Sequence, residues 1–169
     1  MSATSASSDD VEVVTELLGR RPAGAFRIAV RRRSGAPVVI ENAPHLDDGT
    51  PMPTLYWLID PSLKEQVSRL ESVGGVRRVE AMLDPDELVR IHDEHAARRT
   101  ALIEHHELPA PSGGVGGTRK GLKCLHAHLA SWLAGFDDPA GAMVAQEVEL
   151  GDVVRATLGS LDDVGGSSL

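Results

Sequence analysis

The chain has 169 residues, which is enough for one domain with a hydrophobic core. Hydrophobic residues make up 41% of it and aromatic residues only 3%, so the core must consist mainly of aliphatic side chains. The net charge of −8 argues against a protein that binds nucleic acid or anionic membranes. A single cysteine, the lack of a signal-peptide pattern and the lack of a membrane-spanning apolar run predict a cytoplasmic protein.

The first sixty residues predict a helix followed by three strands. Residues 1–8 are small and polar, which predicts a disordered tail. In DVEVVTELLG the valines and leucines share one helical face, and Gly19 can end the helix in a left-handed turn. The alternating segments FRIAVRR and PVVIEN predict a hairpin, because RSGAP between them supplies turn residues. After a proline-rich loop, TLYWLI predicts a third strand.

The middle of the chain predicts two helices with a strand between them. Asp60 can cap a helix whose first position is Pro61, and two glycines can end it. The segment VRRVEAML predicts a fourth strand. A long helix is predicted from Pro85 to Glu107, because Asp84 can cap it and two prolines follow it.

The last third predicts a glycine loop and two further helices. SGGVGG is the loop, and a helix is predicted over Thr118–Ala134. DDPAGAMVAQEVELG repeats the Asp–Pro helix start, and residues 159–169 predict a disordered tail. Since strands come early and helices late, we expect one α+β domain over residues 9–158. Its small, mostly antiparallel sheet should have three to four strands, packed with four to five helices.

The stretch TRKGLKCLHAHLA contains the only cysteine and two histidines. On a helix, Cys124 and His128 lie about 40° apart and can meet on one face, whereas His126 lies about 200° from Cys124. Zinc binds thiolate, imidazole and carboxylate, so these two residues predict a zinc site, with Asp60 as a further candidate ligand. The alternative is that Cys124 is a small buried hydrophobic residue and His128 a hydrogen-bonded core residue.

The glycine loop before this stretch predicts an anion site. A glycine-rich loop that leads into a helix leaves free backbone N–H groups beside the positive end of the helix dipole. The predicted anion-binding residues are the loop glycines, a capping threonine and nearby cations: Arg33, Gly116, Gly117, Thr118, Arg119, Lys120 and Lys123. The pattern is not a Walker A motif. The alternative is a mobile connector followed by a solvated basic turn.

Histidines also recur along the predicted long helix. His92 and His95 lie on one stripe with leucines, which predicts that they face a cleft. We expect them and His126 to line the same pocket as Cys124 and His128, because loops of this length commonly join antiparallel helices. The alternative is the polar edge of an amphipathic helix.

Two segments, GTPMPTLYWLIDPSLKEQVSRLE and GGTRKGLKCLHAHLASWLAGFDDPAG, resemble domain-of-unknown-function family five hundred and one, common in actinobacteria. The resemblance covers roughly residues 15–145, and its KCLHAH core is the most specific part. It implies an intracellular bacterial protein, often encoded near enolase, a septum-formation initiator and an exopolyphosphatase-type enzyme. The family has no established activity.

The resemblance also bears on the metal hypothesis. Many relatives carry cysteine in place of one arginine of Arg31–Arg33 and in place of Asp60, which implies that these positions approach Cys124 in the fold. Aspartate can replace cysteine around a metal, but arginine cannot. The arginine in this chain, where many relatives carry cysteine, therefore favours anion binding over a zinc site shared by the family.

Three functional hypotheses follow. The leading one is a polar pocket for a small phosphorylated or carboxylated metabolite, with hydrolysis as one activity open to it. The second is a non-enzymatic regulatory protein that binds a protein partner in cell division or phosphate metabolism. The third is a zinc site built around Cys124 and His128.

Overall fold

The computed structural model describes residues 5–158. Its strands β1 (Phe26–Arg31), β2 (Pro37–Asn42) and β3 (Tyr56–Leu58) form one antiparallel sheet in the order β1-β2-β3. The described residues contain six α-helices: α1 (Ser8–Leu18), α2 (Pro61–Ser72), α3 (Gly75–Ala81), α4 (Pro85–Ala101), α5 (Leu125–Leu133) and α6 (Pro139–Glu147). The predicted α+β fold with a small antiparallel sheet is confirmed.

The central strand β2 is buried at every position. Val39 lies opposite Val30 of β1 and Leu58 of β3. Both faces of the sheet are covered by hydrophobic clusters: a smaller one in which Val14 of α1 packs near Ile40, and a larger one to which α2–α6 contribute. Because β2 has no solvent-facing side, its first four residues, 37–40, are all apolar rather than alternating, and the polar residues Glu41 and Asn42 that follow are buried as well.

Three helices begin where the sequence predicts. Asp60, Asp84 and Asp138 each precede a proline at the first helical position. Their side chains accept hydrogen bonds from backbone N–H groups of the first turn, at 2.9 Å for Asp60 and Leu63 and 3.0 Å for Asp138 and Gly141. Local capping chemistry therefore determines these three helix starts.

The predicted fourth strand, VRRVEAML, is wrong, because these residues form α3 and the turn after it. Val79 is fully buried and Val76 is partly buried, three residues apart on one helical face. Gly74 has a left-handed backbone (φ 83°), which turns the chain sharply from α2 into α3. The apolar residues thus follow the helical period of three to four rather than the strand period of two.

Two predicted helices are shorter than expected. The long helix α4 ends at Ala101 instead of Glu107. The four residues from Glu104 to Glu107 are all exposed, so extending the helix would bury no apolar surface. The helix predicted over Thr118–Ala134 begins only at Leu125, and Cys124 before it has an extended backbone (φ −150°, ψ 118°).

The late start of α5 has a tertiary cause. Glu80 of α3 accepts a hydrogen bond from Leu122 N–H at 2.9 Å, and Glu71 of α2 accepts one from Leu125 N–H at 2.8 Å. Gly121, directly before Leu122, has a left-handed backbone (φ 63°). Residues 118–124 are therefore held as an irregular segment by carboxylates from neighbouring helices, which satisfy N–H groups that the predicted helix would have used.

Of the two predicted tails, only residues 5–8 are among the described residues. Within the predicted tail 1–8, α1 begins at Ser8 and Ser7 caps it by accepting a hydrogen bond from Asp10 N–H at 3.1 Å. The predicted tail 159–169 lies outside the described residues. Between residues 5 and 158, every helix is too short or too polar to cross a membrane.

Candidate metal centre

Three potential metal ligands converge where α2 meets the start of α5. The Sγ atom of Cys124 lies 3.8 Å from Nδ1 of His126, and this nitrogen lies 3.2 Å from Oε1 of Glu71. The three donor atoms all lie within 4.8 Å of one another, and each residue is partly exposed. Among residues 5–158 this is the one cluster of three or more such donors.

The distances fit a tetrahedral zinc ion. With Zn–S near 2.3 Å and Zn–N and Zn–O near 2.0–2.2 Å, tetrahedral geometry separates neighbouring donors by about 3.4–3.6 Å. The separations of 3.8 Å and 3.2 Å lie on either side of this range. Small side-chain rotations would therefore bring all three atoms to bonding distance, while the partial exposure leaves room for a fourth ligand.

The second nitrogen of His126 fixes the tautomer of the ring. Its Nε2 lies 3.2 Å from the carbonyl oxygen of Lys64 and 3.1 Å from the Ser68 hydroxyl. A carbonyl oxygen only accepts, so Nε2 carries a hydrogen and donates it. In the neutral ring Nδ1 then presents a lone pair to the Glu71 carboxylate, and this contact requires either a proton or a metal cation between the two atoms. Histidine ligands of metals are commonly held in this way by a backbone carbonyl.

This geometry argues against a cysteine nucleophile activated by a histidine–carboxylate pair. In such a triad the nucleophile and the carboxylate contact opposite nitrogens of the imidazole. Here the Cys124 thiol and the Glu71 carboxylate both approach Nδ1 of His126. Convergence on one point is the arrangement of ligands around a cation.

The electrostatics of the cluster also favour a cation. The hydrogen bond with Cys124, together with the Glu71 carboxylate, raises the pKa of His126 above its ordinary value. Glu71 is oriented by the hydrogen bond that its Oε1 accepts from Leu125 N–H. A proton and a metal ion would compete for Nδ1, so metal affinity should fall with decreasing pH.

The zinc ligands predicted from the sequence are only partly brought together. Cys124 is in the cluster, but His128 is not: its Nδ1 donates a hydrogen bond to Asp138 at 2.8 Å, and both side chains are buried. His126, which helical geometry placed far from Cys124, is the neighbour of the thiol instead. The reason is that Cys124 precedes the helix and has an extended backbone, so helical angles do not apply to it.

Asp60, the further candidate ligand, has different partners. It forms two hydrogen bonds with the guanidinium of Arg32, at 2.7 Å and 3.0 Å, and caps α2 through Leu63 N–H. Burial would raise the pKa of the Asp60 carboxyl, but the bonds from Arg32 hold it below its ordinary value. Asp60 is thus engaged in an ion pair and is not a member of the Cys124 cluster.

His92 and His95 face the protein interior rather than an open cleft. The rings of His92 and His128 meet edge to face, with centroids 5.8 Å apart. The ring of His95 contacts those of Tyr56 and Phe136, each with centroids 6.2 Å away. His92 therefore lies against His128, and His95 lies one turn further along α4 in the same buried interior; neither belongs to the cluster around the Cys124 thiol.

This buried cluster predicts loss of stability in acid. Burial, followed by the Arg99 guanidinium, lowers the pKa of His95 to about 3, while histidine in the unfolded chain titrates near 6.5. The unfolded state therefore binds more protons below about pH 6.5, and His95 should contribute a loss of about 2–3 kcal/mol by pH 4.5. Urea unfolding at pH 7 and 4.5 measures this; His95→Leu should lose less than the wild type, and equal losses would contradict the prediction.

The predicted anion-binding residues are distributed over two places. Arg119, Lys120 and Lys123 are exposed on the segment between the glycine loop and Cys124. None of these three cations has a carboxylate at salt-bridge distance among residues 5–158. Arg33 is exposed after the end of β1, where its N–H donates to Asp152 O.

The glycines of the predicted anion site have specific structural roles. Gly116 and Gly117 have left-handed backbones (φ 65° and 78°) within a single turn of 3-10 helix, Val115–Gly117. Thr118 does not cap a helix, because its hydroxyl donates to the carbonyl of Lys120 at 3.0 Å. The predicted helix N-terminus at the glycine loop is therefore wrong, and α5 begins at Leu125, directly after Cys124.

Two cavities lie elsewhere in the molecule. They measure about 170 and 130 Å³ and share Pro22, Gly24 and Ala25 in their walls. None of the residues predicted for the anion or zinc site lines either cavity. The three residues of the candidate centre are partly exposed.

Sequence reasoning missed Glu71. It lies in the last turn of α2, more than fifty residues before Cys124, in a segment with no metal-ligand spacing. The packing of α2 against α5 brings it to the thiol. Only a prediction of that packing could have found this ligand.

The fold and cluster define an α+β protein with a candidate Cys–His–Glu metal centre. The chain matches the family described as "Protein of unknown function (DUF501)" over residues 28–146. The match covers more than half of the chain, and the protein belongs to this family. Comparisons with curated proteins and with solved structures found no match.

Proposed function

We propose that the protein binds one zinc ion through Glu71, Cys124 and His126 and uses it to bind a small anionic ligand. The observation that carries this proposal is the convergence of three different donor types on one point, with Nδ1 of His126 as their common neighbour. Thiolate, imidazole and carboxylate together suit zinc better than magnesium or calcium, which prefer oxygen ligands.

The anion is supported by the surroundings of the cluster. Three protein ligands with a fourth position open to solvent are typical of zinc sites that bind substrate or water. Arg119, Lys120 and Lys123 lie in the segment that leads directly into Cys124, exposed and without a carboxylate partner among the described residues. A phosphorylated or carboxylated compound would satisfy both the metal and these cations. Hydrolysis of a bound phosphate ester is the activity to assay first, because zinc lowers the pKa of bound water.

The test is a zinc titration in competition with a chromophoric chelator, with and without inorganic phosphate. The wild type is expected to bind one zinc ion per chain, and Glu71→Gln to bind it at least about tenfold more weakly. Glu65→Gln is the matched control, because Glu65 lies on the same helix but is exposed and, within residues 5–158, forms a salt bridge only with Arg69. Phosphate should strengthen zinc binding, and Lys120→Ala with Lys123→Ala should remove most of this effect.

Two results would contradict the proposal. If the wild type and Glu71→Gln bind zinc equally, the metal does not occupy this cluster. If phosphate leaves zinc affinity unchanged in the wild type, the anion part of the proposal fails while the metal part stands.

A further inference from the structure

His92 makes two hydrogen bonds to the glycine-containing segment 113–121, one through each ring nitrogen. Val115 N–H donates to Nδ1 at 3.0 Å, and Nε2 lies 2.8 Å from the carbonyl oxygen of Gly121. Because an N–H group must donate and a carbonyl must accept, Nδ1 is the acceptor and Nε2 carries the hydrogen. Both bonds together require the neutral ring in this one tautomer.

The same segment is packed closely against His92. A Cβ atom added at Gly114 would lie 2.4 Å from Cβ of His92, so only glycine allows this approach. Two helical turns further along α4, the Arg99 guanidinium donates to the carbonyl of Gly113 at 2.7 Å. The helix α4 thus holds the segment 113–121 at its beginning, at its 3-10 turn and at its end.

We propose that His92 is a positioning residue for the segment 113–121, which carries two of the cations and delivers Cys124 to the metal centre. The effect of His92 on the metal centre rests on the proposed function, whereas its two hydrogen bonds to the segment do not. His92 touches no proposed metal ligand; it acts by fixing the backbone at Val115 and Gly121, three residues before Cys124.

Protonation of His92 would remove one of these bonds. A charged imidazole has a hydrogen on Nδ1, which cannot accept from Val115 N–H. Burial lowers the pKa of His92 below its ordinary value, so the ring is neutral at pH 7. The titratable groups near it are His128 of α5, Asp138 before α6, and Asp93 and His95 of α4. As pH falls through the folded-state pKa, Val115 should lose its bond to α4, while the bonds of His92 Nε2 to Gly121 and of Arg99 to Gly113 remain.

The test is the hydrogen-exchange protection of the Val115 amide, measured by NMR on the full chain without zinc. His92→Leu should lower this protection about tenfold at neutral pH, because the acceptor is gone. His92→Asn should restore it, because an asparagine oxygen lies where Nδ1 lies and does not titrate. Wild-type protection should fall as the pH is lowered below the ordinary histidine pKa of about 6.5, and that of His92→Asn should fall less.

His95→Leu is the control for general destabilisation, because it changes a buried histidine of the same helix that has no hydrogen bond to the segment. It should leave Val115 protection near the wild-type value. The inference would be overturned if the Val115 amide of His92→Leu were as protected as that of the wild type, or if the wild type and His92→Asn responded equally to pH.

A zinc titration then separates the two proposals: if zinc does not bind the wild type, the proposed function fails while the exchange result still decides the role of His92. If zinc binds, His92→Leu should weaken it roughly tenfold, and an unchanged affinity would overturn the link to the metal centre.

Discussion

Zinc at about one hundred times its dissociation constant is expected to raise the free energy of unfolding by about 2.7 kcal/mol. For a chain of this size the melting temperature should rise by roughly 5–10 °C. The reason is that the packing of α2 against α5 brings Glu71 to Cys124 and His126 in the folded state, whereas the unfolded chain leaves Glu71 far from the other two ligands. Thermal unfolding with zinc and with a chelator measures the difference.

Cys124→Ala should remove most of this stabilisation. The variant deletes a metal ligand itself. Its zinc affinity should therefore fall by more than the roughly 10–100-fold that is lost when a residue hydrogen-bonded to a ligand is replaced. The chain has no other cysteine, and the substitution therefore removes every thiolate. Equal zinc-induced stabilisation in the variant and the wild type would show that the metal binds elsewhere.

Asp138→Ala is expected to destabilise the fold by about 2–4 kcal/mol. Asp138 is fully buried and has two roles: it accepts from Gly141 N–H at the start of α6, and it accepts from Nδ1 of His128. Loss of a helix cap costs about 1 kcal/mol, and a buried donor left without a partner costs about 1–3 kcal/mol. Urea unfolding at neutral pH measures the sum.

Asp137→Ala is the matched control for this prediction. Asp137 is the preceding residue, its side chain is 96% exposed, and its nearest cation is Arg90 at 3.8 Å. Its replacement should change stability by no more than about 0.5 kcal/mol. If both aspartates give equally small effects, the buried contact with His128 contributes little to stability.

Features determined by neighbouring residues were predictable from the sequence. The starts of α2, α4 and α6 follow from an aspartate before a proline, because the cap and the fixed φ angle are local. The strands follow from short runs of β-branched and aromatic residues bounded by turn residues. These segments alone indicate an α+β protein with a small antiparallel sheet.

Features determined by distant residues were not predictable. The start of α5 depends on Glu71 and Glu80, which bind backbone N–H groups from other helices. Once Cys124 lies outside the helix, its neighbour is His126 rather than His128. The ligand Glu71 and the buried pair of His128 with Asp138 both arise from helix packing, for which the sequence carries no spacing signal. The predicted protein partner in division or phosphate metabolism stays a prediction.

X-ray absorption at the zinc edge of the zinc-loaded protein tests the central claim most directly. We expect one sulfur neighbour at about 2.3 Å and nitrogen or oxygen neighbours at about 2.0–2.2 Å, and the sulfur should disappear in Cys124→Ser. A zinc ion surrounded only by nitrogen and oxygen in the wild-type protein would contradict the assignment of Cys124 as a ligand, and with it the proposed metal centre.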